Sequence, residues 1–206
     1  MASSTKIEFS AKEFQLALEL LDTEIGKSKN LRKAAPIKLV CAGGYVAVSY
    51  FRNRSSTQDI DYVLDPQIEN VEKIRGKLQR AIGAVADKLQ LSEEWINSRM
   101  EIFAVGESKL PLFIESIDQN VILWQGKNLT IYAAKWEWSL ARKLKRIGSQ
   151  LRDIDLSDAV AILNIMVDQN GGPLQRSTMK AWDRIVYTPI EDFVLDRVAR
   201  EYEANF

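Results

Sequence analysis

Histidine is absent from the 206-residue chain, which excludes a Ser-His-Asp triad, a histidine general base and every metal site that needs imidazole. A single cysteine, Cys41, excludes internal disulfides and all-cysteine zinc sites. Net charge is missing too. The 28 Lys and Arg balance 28 Asp and Glu, so the global electrostatic footprint of many nucleic-acid and membrane-surface binders is lacking and any polyanion site must be local. No apolar run approaches the roughly 20 residues that span a bilayer, and residues 1–13 lack the basic, apolar and small-residue layout of a secretory signal. The expectation is a soluble, cytoplasmic protein with no membrane and no disulfide partners. What remains for chemistry is carboxylates, Lys, Arg, hydroxyls and hard cations bound through oxygen. At 46% hydrophobic and 27% charged residues, the chain carries enough apolar material for one sizeable core.

Hydrophobic spacing sets out the organisation. Phe14, Leu18, Leu21 and Ile25 recur at intervals of four, three and four, predicting an N-terminal amphipathic helix that the polar stretch 26–32 ends. The run Ile37 to Ala42, closed by Gly43-Gly44, reads as a buried strand with a helix directly behind it, and Ile60 to Leu64 as a second strand ended by Asp65-Pro66. Val71, Ile74, Leu78, Ile82, Val85 and Leu89 lie along one face of a long helix over 68–90. Met100 to Val105 is a strand candidate, and Val121 to Trp124 pairs with Leu129 to Tyr132 as a hairpin. From Trp136 onward the chain reads as helical, with segments 136–147, 155–168, 177–187 and 191–204 and breaks at Gly171-Gly172-Pro173 and Pro189. The fold class is thus α/β (α+β): a small mixed sheet with flanking helices over 1–135, then a helical region, 136–206, expected to pack on it.

The stretch from Lys38 to Asp65 concentrates the chemistry. Residues two apart on a strand share a face, so Asp59 and Asp61 present their carboxylates side by side about 7 Å apart at the backbone, a spacing suited to a divalent cation. Gly43-Gly44 lies between a strand and a helix start, where missing Cβ atoms let N–H groups approach an anion such as phosphate. Asp-x-Asp alone is weak: 13 Asp in 206 positions give about 0.8 such triplets by chance, and Asp153-x-Asp155 is another. Strand-end positions for the two aspartates and an ordinary helix-start turn for the glycines are the competing structural readings.

Taken together, the strand, Gly-Gly, an apolar helical turn, a hydroxyl pair and Asp-x-Asp within 25 residues resemble the nucleotidyltransferase superfamily of polymerase-β-like fold. Residues 129–163 look like the second signature of its toxin- and antitoxin-associated branch, a helix bearing Lys143 followed by Arg152, Asp155 and Asp158 in an Arg-x-x-Asp-x-x-Asp run. The elements Trp95 to Met100 and Tyr132 to Trp136 are similar to uncharacterised fungal proteins of that fold. The resemblance covers about residues 37–165. It implies magnesium or manganese, a nucleoside triphosphate such as ATP, and transfer of a nucleoside monophosphate to a hydroxyl on a small molecule, a protein or an RNA. On that pattern Asp59 and Asp61 are the metal ligands, while Gly43, Gly44, Ser56, Thr57, Lys143 and Arg152 hold the triphosphate. Asp155 orients Lys143 or the incoming hydroxyl, completing a catalytic set of Asp59, Asp61, Lys143 and Asp155. A third metal carboxylate is expected on a later strand, with Glu101 the best positional candidate and Glu115 the next.

Two other functions compete. One is a catalytically inactive nucleotide-binding or interaction module of the same fold. The other is an RNA-binding protein using Arg142, Lys143, Lys145, Arg146 and Arg152 with nearby tryptophans. Trp136 and Trp138, two apart on a helix, point to different sides, so at least one belongs to the core. Cys41, inside an apolar strand, reads as a buried inert thiol.

Overall fold

A computed structural model of the chain describes residues 8–104, 106–150 and 152–206, which form two compact units, Met1–Ala134 and Lys135–Phe206. The first is α+β. It opens with helix α1 (Ala11–Lys27), whose buried Phe14, Ala17, Leu18, Leu21 and Ile25 form the predicted stripe. The backbone N–H and hydroxyl of Ser10 both donate to the Glu13 carboxylate at 2.7 Å, which fixes the helix start. A short helix α2 (Lys29–Ala34) follows, beginning inside the polar stretch 26–32.

Strand β1 (Ile37–Ala42) is the centre of the sheet. Behind it come one helical turn, α3 (Gly44–Val46), and a π-helical turn, Ala47–Phe51, which ends at Arg52 in the left-handed region. Strand β2 (Ile60–Leu64) leads to the long amphipathic helix α4 (Val71–Leu89) and then to β3 (Ile96–Asn97). After helix α5 (Lys109–Gln119) the unit closes with the hairpin β4 (Ile122–Gln125) and β5 (Leu129–Ala133). The five strands run in the order β3-β2-β1-β5-β4. β1 is antiparallel to β2 and parallel to β5, β2 is parallel to β3, and β4 is antiparallel to β5, so the sheet is mixed.

Helix α1 packs on α4 and also holds the hairpin turn. The Asp22 carboxylate accepts the N–H groups of Asn128 at 2.7 Å and Leu129 at 2.9 Å, which would otherwise lack partners where the strand begins. Gly126 is required there, because a Cβ would strike that same carboxylate.

Met100 to Val105 is not a strand. Arg99–Phe103 forms a 3₁₀ turn, and Val105 lies outside the described residues. The cause is local: Asn97 Oδ1 accepts the Arg99 N–H at 2.9 Å, an Asx turn that bends the chain as soon as β3 has made its two residues. Ile102 and Phe103, apolar in sequence, are consequently exposed. Helix α5 carried no expectation from the sequence; it buries Leu112, Phe113 and Ser116.

The second unit is helical: α6 (Trp136–Gln150), α7 (Asp153–Asn170), α8 (Arg176–Lys180), α9 (Asp183–Val186) and α10 (Asp192–Asn205). The segment 177–187, expected as one helix, is thus two short ones. Gly171, at φ 71°, ends α7, as its sequence position suggested. Among the described residues no helix is long and apolar enough to cross a membrane.

Candidate functional site: the carboxylate pair at the start of β2

Asp59 immediately precedes β2 and Asp61 is its second residue, so the strand's alternation turns both to one face while Ile60 and Tyr62 are buried on the other. Asp61 stands in register between Ala42 of β1 and Asn97 of β3. Asn97 donates from Nδ2 to Asp59 Oδ2 at 3.1 Å, and Arg99 Nη1 stands 4.0 Å from the same oxygen. Burial nonetheless holds the Asp59 carboxyl above the usual aspartate range. Asn97 and Arg99 oppose the shift and Glu94 adds to it. Among the described residues, then, the amide and the guanidinium do not fully offset the burial of the Asp59 carboxyl.

Glu101 is the opposite case. Its carboxylate accepts the Leu64 N–H at 3.3 Å, Arg75 at 3.1 Å and Lys109 at 2.7 Å. Burial alone would raise its pKa, but Lys109 and then Arg75 overcome it and hold the group below the usual range. Leu64 lies three residues beyond Asp61, about 10 Å along the strand. The structure thus places Glu101 at the other end of β2, already neutralised by two cations, and does not bring it beside the aspartate pair. Glu115, the second candidate, is exposed on α5. The residue across from Asp61 on the neighbouring strand is the amide Asn97. Its sequence signal was the Trp95-x-Asn97 element, which a two-residue strand made hard to interpret.

The glycine turn has two separate causes. Gly43 adopts φ 85°, ψ −138°, outside the reach of L side chains, and has open space where a Cβ would project. Gly44 is closed instead: a Cβ there would collide with the Thr57 side chain. That contact carries Thr57 against the turn, just ahead of the aspartates. Thr57 also exchanges backbone hydrogen bonds with Phe9, at 2.7 and 3.0 Å. The neighbouring Ser56 donates its hydroxyl to Glu8 at 2.6 Å, so of the predicted hydroxyl pair only Thr57 is built into the glycine turn. Cys41 is fully buried, and burial, followed by the charges of Asp61 and Asp59, pushes its thiol pKa well up, so it is an inert core group.

Lys143, Arg152, Asp155 and Asp158 all belong to the helical unit. Lys143 is 7% exposed and its ammonium donates to both Asp155, at 2.8 Å, and Asp158, which are themselves buried. Arg146 Nε stands 3.2 Å and Arg152 Nε 3.7 Å from the second Asp155 oxygen. The Arg-x-x-Asp-x-x-Asp run thus closes a charge network between α6 and α7. The basic face expected for RNA loses two members, since Lys143 points inward and Lys145 donates to the Val186 carbonyl at 2.8 Å. Trp136 is core, whereas Trp138 lies beneath the Arg142 guanidinium, 5.9 Å from its ring centre.

Comparison with curated proteins returns no match, and neither does comparison with solved structures. One family model matches residues 28–206, both the sheet unit from α2 onward and the whole helical unit. The chain therefore belongs to the family described as a domain of unknown function, DUF7582.

Proposed function

We propose that the chain is a magnesium-dependent nucleotidyltransferase, moving a nucleoside monophosphate from a nucleoside triphosphate to a hydroxyl acceptor. Asp59 and Asp61, on one face at the start of β2, with Asp61 paired to Ala42 immediately before the Gly43 turn, carry this reading. The donor set suits magnesium, which is commonly held by one or two carboxylates with water and substrate phosphates completing its shell. Asp59, with its nearest guanidinium 4.0 Å away, favours an added cation, whereas Glu101, paired with Arg75 and Lys109, disfavours one. When bound, the ion would supply charge neutralisation at the phosphates. In the reaction the acceptor oxygen forms a bond to the α-phosphorus while the bond from that phosphorus to pyrophosphate breaks, and the hydroxyl proton leaves to water. Gly43 leaves room for a phosphate to approach the backbone, and Thr57 braces the turn. Lys143, Asp155 and Arg152 act in this reading by setting the shape and charge of the α6–α7 pair.

A second reading, a catalytically silent nucleotide-binding module, is favoured by one observation: the third carboxylate is replaced by Asn97 opposite Asp61, with Glu101 engaged elsewhere. Calorimetric titration with ATP, GTP, CTP and UTP, each with magnesium, tests both readings against Asp59→Ala and Asp61→Ala. Loss of binding in both variants with an unchanged melting temperature is expected. Wild-type binding of nucleotide and magnesium by both variants would refute the site. Transfer of α-labelled nucleotide to RNA, protein or small molecules in a cell extract then separates the enzyme from the silent module.

A further inference from the structure

The neutrality of the whole chain conceals a strong local imbalance. Residues 27–38 hold five Lys and Arg and residues 73–80 hold four, with no Asp or Glu in either stretch. Folding joins the two, because α2 packs on both α1 and α4. Lys73, Lys77 and Arg80 recur at intervals of four and three, which is one stripe of α4. Lys88, about three turns beyond Lys77, continues that line. Its ammonium donates to Glu24 of α1 at 2.5 Å, so the stripe is the flank that α4 turns toward α1 and the α2 that follows it. On α2 only Leu31 is buried, and Lys29, Arg32 and Lys33 are exposed. Among the described residues none of these six cations, three on each helix, has an ion-pair partner. The acids nearby are engaged elsewhere: Glu24 is shared by Lys27, at 2.9 Å, and Lys88, while Glu72 faces Arg75 at 3.7 Å on the other flank of α4.

Gly76, inside α4 and one turn from both Lys73 and Arg80, points the same way. Nothing lies within 4 Å of where its Cβ would be, so no internal crowding requires a glycine that weakens the helix relative to alanine. What it supplies is bare backbone among cations, where a body outside the chain can come close. No large apolar or aromatic side chain of α2 or α4 is exposed. Single-stranded nucleic acid is held by aromatic stacking and a membrane-surface helix by an inserted apolar face, so neither fits. Cations that meet phosphates without insertion fit a double helix, about 10 Å of whose axis, the length of the stripe, carries about six phosphates. We propose that α2 and α4 form a binding surface for the phosphate backbone of a nucleic-acid duplex, held by charge and not by base sequence. Tyr62 lines the same hollow as Gln79 and Ile82 of α4, so this helix covers the face of the sheet opposite Asp59 and Asp61. Duplex binding thus stands or falls independently of the transferase reading.

Fluorescence anisotropy on the full chain, without nucleotide or magnesium, tests this with labelled RNA and DNA duplexes of about 20 base pairs and with their single strands. Between about 50 and 200 mM salt, log affinity for a duplex should fall against log salt with a slope of about −4, as when four or five of the six cations meet phosphates. Lys73→Gln/Lys77→Gln and, separately, Arg32→Gln/Lys33→Gln should each weaken binding at least tenfold at the lower salt and flatten the slope by about two, with unchanged melting temperatures. Gly76→Leu should weaken binding with an equal or higher melting temperature, whereas Arg184→Gln, in the helical unit, should leave binding as it was. A preference for RNA or for DNA names the source of the backbone and supports the proposal either way. Absence of duplex binding, binding indifferent to both double substitutions or to Gly76→Leu, or single strands bound as tightly as duplexes would overturn it. So would tighter binding, through the same residues, to phosphatidylserine vesicles or to polyglutamate.

Discussion

Replacing Lys143 by methionine, which keeps the length of the side chain and removes its charge, separates a structural lysine from one free to meet a phosphate. The lysine is 7% exposed, and its ammonium is shared by two aspartates that are 0% and 1% exposed. Removing one partner of such a buried pair costs about 3–5 kcal/mol, because the charges left behind have lost both water and counterion. Asp155 would keep Arg146 at 3.2 Å and Arg152 at 3.7 Å, which places the expected loss near the lower end, about 3 kcal/mol. For a chain of this length that is a fall in melting temperature of about 6–12 °C. Urea denaturation followed by circular dichroism measures it, with the slope checked for constancy. A double-mutant cycle with Asp158→Asn should show coupling of about 1–3 kcal/mol, the amide being better tolerated once the lysine is gone. A cost below about 1 kcal/mol for Lys143→Met would refute the buried network and return the lysine to solvent and to phosphate.

Asp59→Asn should be neutral or slightly stabilising near pH 7, since it removes a half-buried charge that Arg99 compensates only from 4.0 Å, while nucleotide-dependent magnesium binding measured by calorimetry is lost. Glu101→Gln should lower stability by about 1–3 kcal/mol at neutral pH and leave magnesium binding intact. The folded pKa of Glu101 is depressed, so the wild type's advantage over this variant is present above the unfolded value, about 4.3, and disappears as pH falls through the folded one. Denaturation at pH 7, 5 and 3 reads that out, and an advantage that grows toward acid contradicts it. Gly44→Ala should destabilise by about 1–3 kcal/mol through its collision with Thr57, with partial recovery in Gly44→Ala/Thr57→Ala; a neutral Gly44→Ala would mean the turn does not rest on that side chain.

Elements with a long, one-sided apolar period or a short, fully apolar run were legible without coordinates. Helices α1 and α4 and strands β1 and β2 fall into this group, because burial of one face acts on every turn or residue and writes itself into the spacing. Helix α5 and strand β3 were not legible. Strand β3 has only two residues, and α5 leaves Leu110 and Ile114 exposed, so neither shows a clear periodicity. The run Met100 to Phe103 misled for a related reason: its apolar residues suit a strand, but the Asn97 side chain captured the Arg99 N–H and turned the chain.

Sequence alone determined the inventory of available chemistry. It excluded imidazole and internal disulfides, set Asp59 and Asp61 on one side of a strand by simple alternation, and marked Gly43 and Gly44 as a special turn. Tertiary structure decided which charges remain available. Whether a carboxylate is spare or spent depends on the cations that long-range folding brings to it, and no local spacing encodes that. Arg75 and Lys109 reach Glu101 from 26 residues before it and from α5 after it, while among the described residues Asp59 receives an amide and a distant guanidinium. The same physics turned Lys143 inward onto Asp155 and Asp158, two groups that the sequence could name but not place.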